Sequence, residues 1–186
     1  MSSEQDREAL LKILREKSFE KRDVVLTSGA GSDWYIDGKQ TTLHPLGLKL
    51  VGEFFFDRLK DSGIEAVGGP TMGADPLVTA TALISQLRGE PMAAFIVRKE
   101  PKFHGTSAWI EGKNNLREGM KVAILEDVIT TGGSILHAIH RSEAEGLTVA
   151  RVLVVVDRCE GGRERLAEAG YQLESLFTRE DFFGSG

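Results

Sequence analysis

An α/β fold built on a parallel sheet, with helices on both sides, is predicted by three features of this 186-residue sequence. From about residue 63 onward, strand-like and helix-like patterns alternate along the chain, which is the order expected of parallel strands joined by crossover helices. The run Val122-Ala123-Ile124-Leu125 is apolar at every position and reads as a strand buried on both faces. Directly after it, Ile135, Leu136, Ala138 and Ile139 follow helical spacing.

Taken in order, residues from about Asp6 to Phe19 read as an amphipathic helix through Leu10, Leu11, Ile13 and Leu14. Short extended pieces follow around Val24–Leu26 and Trp34–Ile36, so residues 1 to about 45 suit a small cap. His44 to Lys60 is a second helix, with Leu48, Val51, Phe55 and Leu59 on one face and Asp61-Ser62-Gly63 ending it. Phe54, Phe55 and Phe56 belong to the core or to a dimer contact. Ile64–Val67 is a strand leading into the turn GGPTMGADP, then come a helix through Leu77 to Leu87 and the strand Met92–Val97. A long polar loop runs from Arg98 to about Gly119. After the central strand and its helix, Val149–Val156 is a buried strand, Arg163–Ala169 a helix and Tyr171–Phe177 a final edge strand. With 41% hydrophobic residues the chain can bury one good core, so 1–186 is expected to be a single domain with its α/β core over about 63–178.

The whole-chain balance excludes several function classes. A net charge of −5 argues against general nucleic-acid binding, which relies on clustered Lys and Arg. No apolar run approaches the roughly 20 residues of a membrane span and the amino terminus is charged, so a cytoplasmic protein without membrane contact is expected. The single Cys159 excludes an internal disulfide, and no Cys/His set has zinc spacing. His137 and His140 sit three apart on a helix with no third ligand spaced to join them, which favours a solvent-facing or partner-facing role.

The segment Val122 to Ser134, VAILEDVITTGGS, carries the most chemistry. Its turn falls at the carboxyl edge of the sheet, where ligands bind in open α/β folds. Gly132 and Gly133 allow close approach of backbone to an anion, while Thr130, Thr131 and Ser134 add hydroxyl donors beside the amides of a helix amino terminus. That set would cradle a phosphate. Glu126 and Asp127 would be repelled by phosphate, so their partners are ribose hydroxyls or a bound Mg2+. The second concentration of charge is the loop RKEPKFHGTSAWIEG, with Arg98, Lys99, Lys102 and His104 in seven positions of an acidic protein and Lys113 just beyond. A lid closing on an anion fits it.

VAILEDVITTGGS closely resembles the phosphoribosyl-pyrophosphate (PRPP) motif of the type I phosphoribosyltransferases: a hydrophobic run, two acids, then a Thr- and Gly-rich turn. RKEPKFHG is similar to the catalytic loop of the orotate-specific branch, Arg-Lys-Glu-x-Lys-x-His-Gly, with Arg98, Lys99, Glu100, Lys102, His104 and Gly105 in the specified positions. TSGAGSDWYIDGKQTTLHP resembles that family's amino-terminal orotate-side loop, and VDRCEGG its downstream orotate-contacting segment. Resemblance covers about residues 20 to 162.

The resemblance implies the type I phosphoribosyltransferase fold with a small amino-terminal hood. It implies Mg-dependent transfer of phosphoribose from PRPP to orotate, giving orotidine 5′-monophosphate and pyrophosphate in de novo UMP biosynthesis. Lys102, Arg98 and Lys99 would neutralise pyrophosphate and His104 would hydrogen-bond or protonate it. Asp127 and Glu126 would hold the ribose hydroxyls, with Asp127 reaching metal only through water. Arg158 would face orotate, with Thr130 and Tyr35 nearby, and Thr71 and Gly73 would meet pyrophosphate through amides and one hydroxyl. A homodimer with shared active sites is also implied. Departures from the family pattern are Thr27, where many relatives have lysine, Ala30 and Gly31, where they have basic residues, and the turn Thr71-Met72-Gly73-Ala74, where some carry lysine; Lys39 is a candidate to compensate in the first loop. Trp34 either stacks on the base or packs in the cap, and Trp109 is assigned no role. Two rival readings are a purine phosphoribosyltransferase, which should lack the lid pattern, and a PRPP-sensing nucleic-acid binder, which the acidic balance opposes.

Overall fold

The computed structural model describes residues 3–21, 24–25, 31–32, 34–101 and 108–183, with side chains of 24–25 and 31–32 left aside. Lys102, His104, Thr27 and Ala30 lie outside the described residues.

The centre is a six-stranded sheet in the order β10-β9-β8-β5-β6-β7, where β5 is Ala66–Pro70, β6 Ala93–Val97, β7 Ile110–Glu111, β8 Lys121–Ile129, β9 Thr148–Asp157 and β10 Leu173–Thr178. Neighbours from β10 to β6 pair in parallel, and β7 alone runs antiparallel, on β6. The expected α/β class and the edge position of the last strand are therefore observed.

Strand β8 divides the core by its period of two. Ala123 and Leu125 pack with Val51, Phe55, Leu77 and Val78 of helices α3 (Pro45–Leu59) and α4 (Asp75–Leu87). Val122 and Ile124 pack on the other side with Ile135, Ala138 and Ile139 of α5 (Gly133–Ala144) and with Leu166 of α6 (Gly162–Glu168). Ser3 caps α1 (Glu4–Ile13), its hydroxyl accepting the Asp6 N–H while the Asp6 side chain returns to the Ser3 backbone. A π-helical turn, Leu14–Ser18, continues α1 to Phe19. The cap then holds two small antiparallel pairs, β1 (Phe19–Glu20) with β4 (Tyr35–Ile36) and β2 (Val24–Val25) with β3 (Gly31–Ser32). A short helix, α2 (Lys39–Thr42), leads into α3, and α7 (Arg179–Phe183) ends the described chain.

Three expectations need correction. The first core strand is not Ile64–Val67 but Ala66–Pro70, so Gly68 and Gly69 belong to the strand rather than to the turn. The reason is tertiary: a Cβ on Gly68 would overlap the Phe95 ring, and one on Gly69 would overlap the Leu125 carbonyl. The loop after Arg98 is not structureless to Gly119, because β7 and a 3-10 turn at Lys113–Asn115 lie within it. The central strand does not stop at Leu125 but runs to Ile129, which puts Glu126 and Asp127 inside the strand and not in the turn.

Because the space at Gly68 is taken by the Phe95 ring, Gly68→Val should lower unfolding stability by roughly 1–3 kcal/mol, the range for overpacked cores. Urea unfolding checks this, and Phe95→Leu in the same chain should recover part of the loss.

Candidate active site at the carboxyl edge of the sheet

The carboxyl ends of β5, β6, β8 and β9 open on one edge, and almost every candidate residue within the described chain arrives there from one of them. Glu126 and Asp127 follow the apolar half of β8 and are each only 7% exposed. Two backbones close over them. A Cβ on Gly73 would lie 2.5 Å from both Asp127 Oδ1 and Glu126 Oε1, and one on Gly38 would lie 2.7 Å from Asp127 Oδ2. Only glycine allows the turn after β5 and the end of the cap to approach this closely.

Their electrostatics follow from that enclosure. Burial lifts the Glu126 carboxyl well above the ordinary glutamate value, and the Asp127 charge beside it adds to the lift. Burial also raises Asp127, but Lys39 and the Val128 N–H, which donates to Asp127 Oδ1 at 2.8 Å, pull it back. Of the two, Glu126 is the more readily protonated. Lys39 Nζ is 2.7 Å from Asp37 Oδ1 and 3.9 Å from Asp127 Oδ2. Burial alone would lower that ammonium, yet the hydrogen bond to Asp37 and the charges of Asp127 and Asp37 raise it on balance. Lys39 was suggested by sequence only as a compensating cation elsewhere. Its contact with Asp127 spans the cap and the core, a long-range proximity no local pattern encodes.

Next to the acids, Glu126, Val128, Ile129 and the turn Thr130 to Ile135 line a cavity of about 310 Å³. Gly132 caps α5 at φ 77°, and Thr131, Gly133 and Ser134 are exposed, so amides and hydroxyls of the turn face open space. Thr71 sits at the end of β5, its N–H donating to the Val97 carbonyl at 2.9 Å and its hydroxyl to Asp75 Oδ2 at 3.0 Å. Arg98 follows β6 directly and is paired with Glu111 at 2.9 Å, so it is not free in this state, while Lys99 is exposed.

Arg158 follows β9, its N–H donating to the Ile129 carbonyl at 3.1 Å. The residue is 3% exposed, and Nη2 lies 2.9 Å from both the Trp34 carbonyl and Glu160 Oε1. Glu160 was not foreseen, although its spacing two residues after Arg158 was a usable signal. Tyr35, half-buried, follows Trp34. Of the two readings of Trp34, packing is the observed one: the residue is fully buried among aromatic rings. His137 does not simply face solvent or a partner. It is half-buried, its ring 5.4 Å from that of Trp109 and its Nε2 3.3 Å from the Arg98 carbonyl. Among the described residues no group of three or more His, Cys, Asp or Glu could hold a metal ion alone, and no helix is long and apolar enough to cross a membrane.

A carboxylate pair inside the central strand, followed by an amide-rich turn at a helix start, on a parallel sheet with a small cap, defines a type I phosphoribosyltransferase fold. A family model described as phosphoribosyl transferase domain matches residues 38–173. The chain belongs to the orotate phosphoribosyltransferases, an enzyme family within that fold. It is 48% identical over 178 residues to the orotate phosphoribosyltransferase of Sorangium cellulosum, covering 95% of this chain and 93% of that protein. The solved orotate phosphoribosyltransferase of Mycobacterium tuberculosis in complex with Fe(III) dicitrate superposes with a TM-score of 0.81 at 37% identity, covering 95% and 98% of the two chains. The same enzyme solved with PRPP gives 0.78 at 34% identity, covering 96% and 99%.

The raised Glu126 carboxyl predicts a particular pH dependence. An acid whose folded value lies above its unfolded one costs stability as pH rises from the ordinary 4.5 through the folded value, and costs nothing below it. Glu126→Gln should therefore raise the urea midpoint near neutral pH, and the gain should vanish below pH 4.5.

Proposed function

We propose that this chain transfers the 5-phosphoribosyl group of PRPP to orotate, giving orotidine 5′-monophosphate and pyrophosphate in de novo UMP biosynthesis. The observation that carries the reading is the buried Glu126–Asp127 pair beside the open Thr130–Ser134 turn. A phosphorylated sugar matches both halves of that arrangement: amides and hydroxyls for the phosphate, carboxylates for the ribose hydroxyls. The motif Arg98 to Gly105 favours the orotate branch over a purine phosphoribosyltransferase, which should lack it.

In the reaction the bond from the anomeric carbon to pyrophosphate breaks as orotate nitrogen bonds to that carbon from the opposite face, with inversion. Negative charge grows on the leaving group and positive charge on the sugar. Asp127 and Glu126 hold the ribose hydroxyls and favour the cationic sugar. Thr71 and the Gly73 amide bind pyrophosphate. Lys99, Lys102 and Arg98 neutralise it, Arg98 after exchanging its Glu111 partner for phosphate oxygens, and His104 hydrogen-bonds or protonates it. Arg158 and Tyr35 orient the orotate, and closure of the cationic loop excludes water that would otherwise hydrolyse the ribosyl centre.

Mg2+ is the implied cofactor, and the residues fit it. Two buried oxygen donors of like charge, both with raised affinity for protons, are suited to face a hydrated cation. Asp127 would reach it through water. When bound, Mg2+ supplies charge neutralisation at the pyrophosphate oxygens. Residues 1 to about 45 act as the hood over this edge. The active form is a cytoplasmic homodimer in which each cationic loop serves the neighbouring site.

Loss of orotate absorbance with PRPP and Mg2+ tests the reading; pure folded protein that turns over another base and leaves orotate untouched overturns it. Removing Mg2+ with a chelator should abolish turnover. Lys102→Ala should lower kcat by about 10²–10³-fold, the scale for one lost electrostatic stabiliser. Heterodimers of Lys102→Ala with Asp127→Asn should regain activity, because one of their two shared sites is intact; no recovery in verified heterodimers excludes sharing.

A further inference from the structure

Trp34 stands at the middle of a four-ring cluster whose other members come from opposite ends of the chain. Its ring centroid lies 6.0 Å from Phe19, 5.6 Å from Phe182 and 5.7 Å from Phe183. Phe19 in turn stacks on Phe182 at 5.5 Å and meets Phe183 edge-on at 5.5 Å. Phe182 and Phe183 both belong to α7, and that helix is tied down at Asp181. The Asp181 carboxylate accepts the Thr178 N–H at 2.7 Å and Arg7 Nη2 at 2.6 Å, and its carbonyl accepts from Arg15.

Trp34 is bound to Arg158 twice. The guanidinium lies 4.7 Å from the centre of the indole, and Nη2 donates to the Trp34 carbonyl at 2.9 Å. Arginine has several rotatable bonds, so its head goes where its contacts hold it. Glu160 holds it from one side and Trp34 from the other. The place of Trp34 is fixed by the rings around it, two of which are on α7.

We propose that Phe182 and Phe183 are positioning residues for base recognition: they wedge Trp34 into the position from which it orients the Arg158 guanidinium toward the anionic base. The inference rests on the role given to Arg158 under the proposed function. It makes α7, which touches no reacting atom, part of the apparatus that selects orotate. Loss of an aromatic wall should loosen Arg158 and weaken orotate binding while leaving the PRPP side, built on β8 and α5, as it was.

Phe183, 37% exposed at the rim of the cluster, is the position to test because its truncation leaves the core intact. Initial rates for the full-length enzyme would be measured with Phe183→Ala and Phe183→Tyr, in the parent and in Arg158→Lys. Phe183→Ala should raise KM for orotate about fivefold, the scale of a lost aromatic contact, and leave KM for PRPP and the thermal midpoint near parental values. Phe183→Tyr, which keeps the ring, should behave as the parent. In Arg158→Lys the alanine change should add nothing, because there is no guanidinium left to orient. A parallel rise in both KM values, an unchanged KM for orotate, or an equal effect in Arg158→Lys overturns the inference. A parent enzyme that leaves orotate untouched overturns the functional reading and this inference with it; a parent that consumes orotate alongside an unaffected Phe183→Ala overturns the inference alone.

Discussion

Two like-charged carboxylates buried side by side near the end of β8 are the constraint around which the molecule is arranged. Water would solvate them cheaply; the fold instead encloses them between the backbones of Gly73 and Gly38 and gives them the Lys39 ammonium and a few N–H donors. Such a pair costs stability, and the raised proton affinity of Glu126 is the form that cost takes. The strand that bears it is flanked by β5 and β9 and covered by helices on both faces.

Strand β8 also explains how one run of sequence can serve core and site together. Alternation sends Val122 and Ile124 to one layer and Ala123 and Leu125 to the other, and beyond them the Glu126 and Asp127 carboxyls converge on Gly73 with different further neighbours. Glu126 lines the cavity with the hydroxyl-rich turn, whereas Asp127 meets the cap through Lys39 and Gly38. Adjacent residues of similar chemistry thereby acquire unequal proton affinity.

Much of this was legible in the sequence because its signals were local. An uninterrupted apolar run, a switch to helical spacing and a Thr/Gly turn are sufficient to locate β8, its turn and α5, and helices α3 and α4 were read nearly to their ends. Misread features had non-local causes. Gly68 and Gly69 looked like turn residues, but they are glycines because Phe95 and the Leu125 carbonyl need their space. β7 has two residues, too few for any period, and exists only because β6 offers an edge. The contact of Lys39 with Asp127 became visible only once the cap had been brought beside the acids. α7 follows the last strand with five residues and carries its meaning in rings contributed by Phe19 and Trp34.

The antiparallel return of β7 on β6 has a consequence for how this enzyme can vary. Arg98 and Trp109 are joined across the base of the cationic loop, the N–H of one donating to the carbonyl of the other at 2.9 Å. The excursion between them is thus a closed circuit whose ends are stitched into the sheet margin. A change in its length costs a slowly growing chain-closure entropy and leaves the pairing of β6 with β7 as it is.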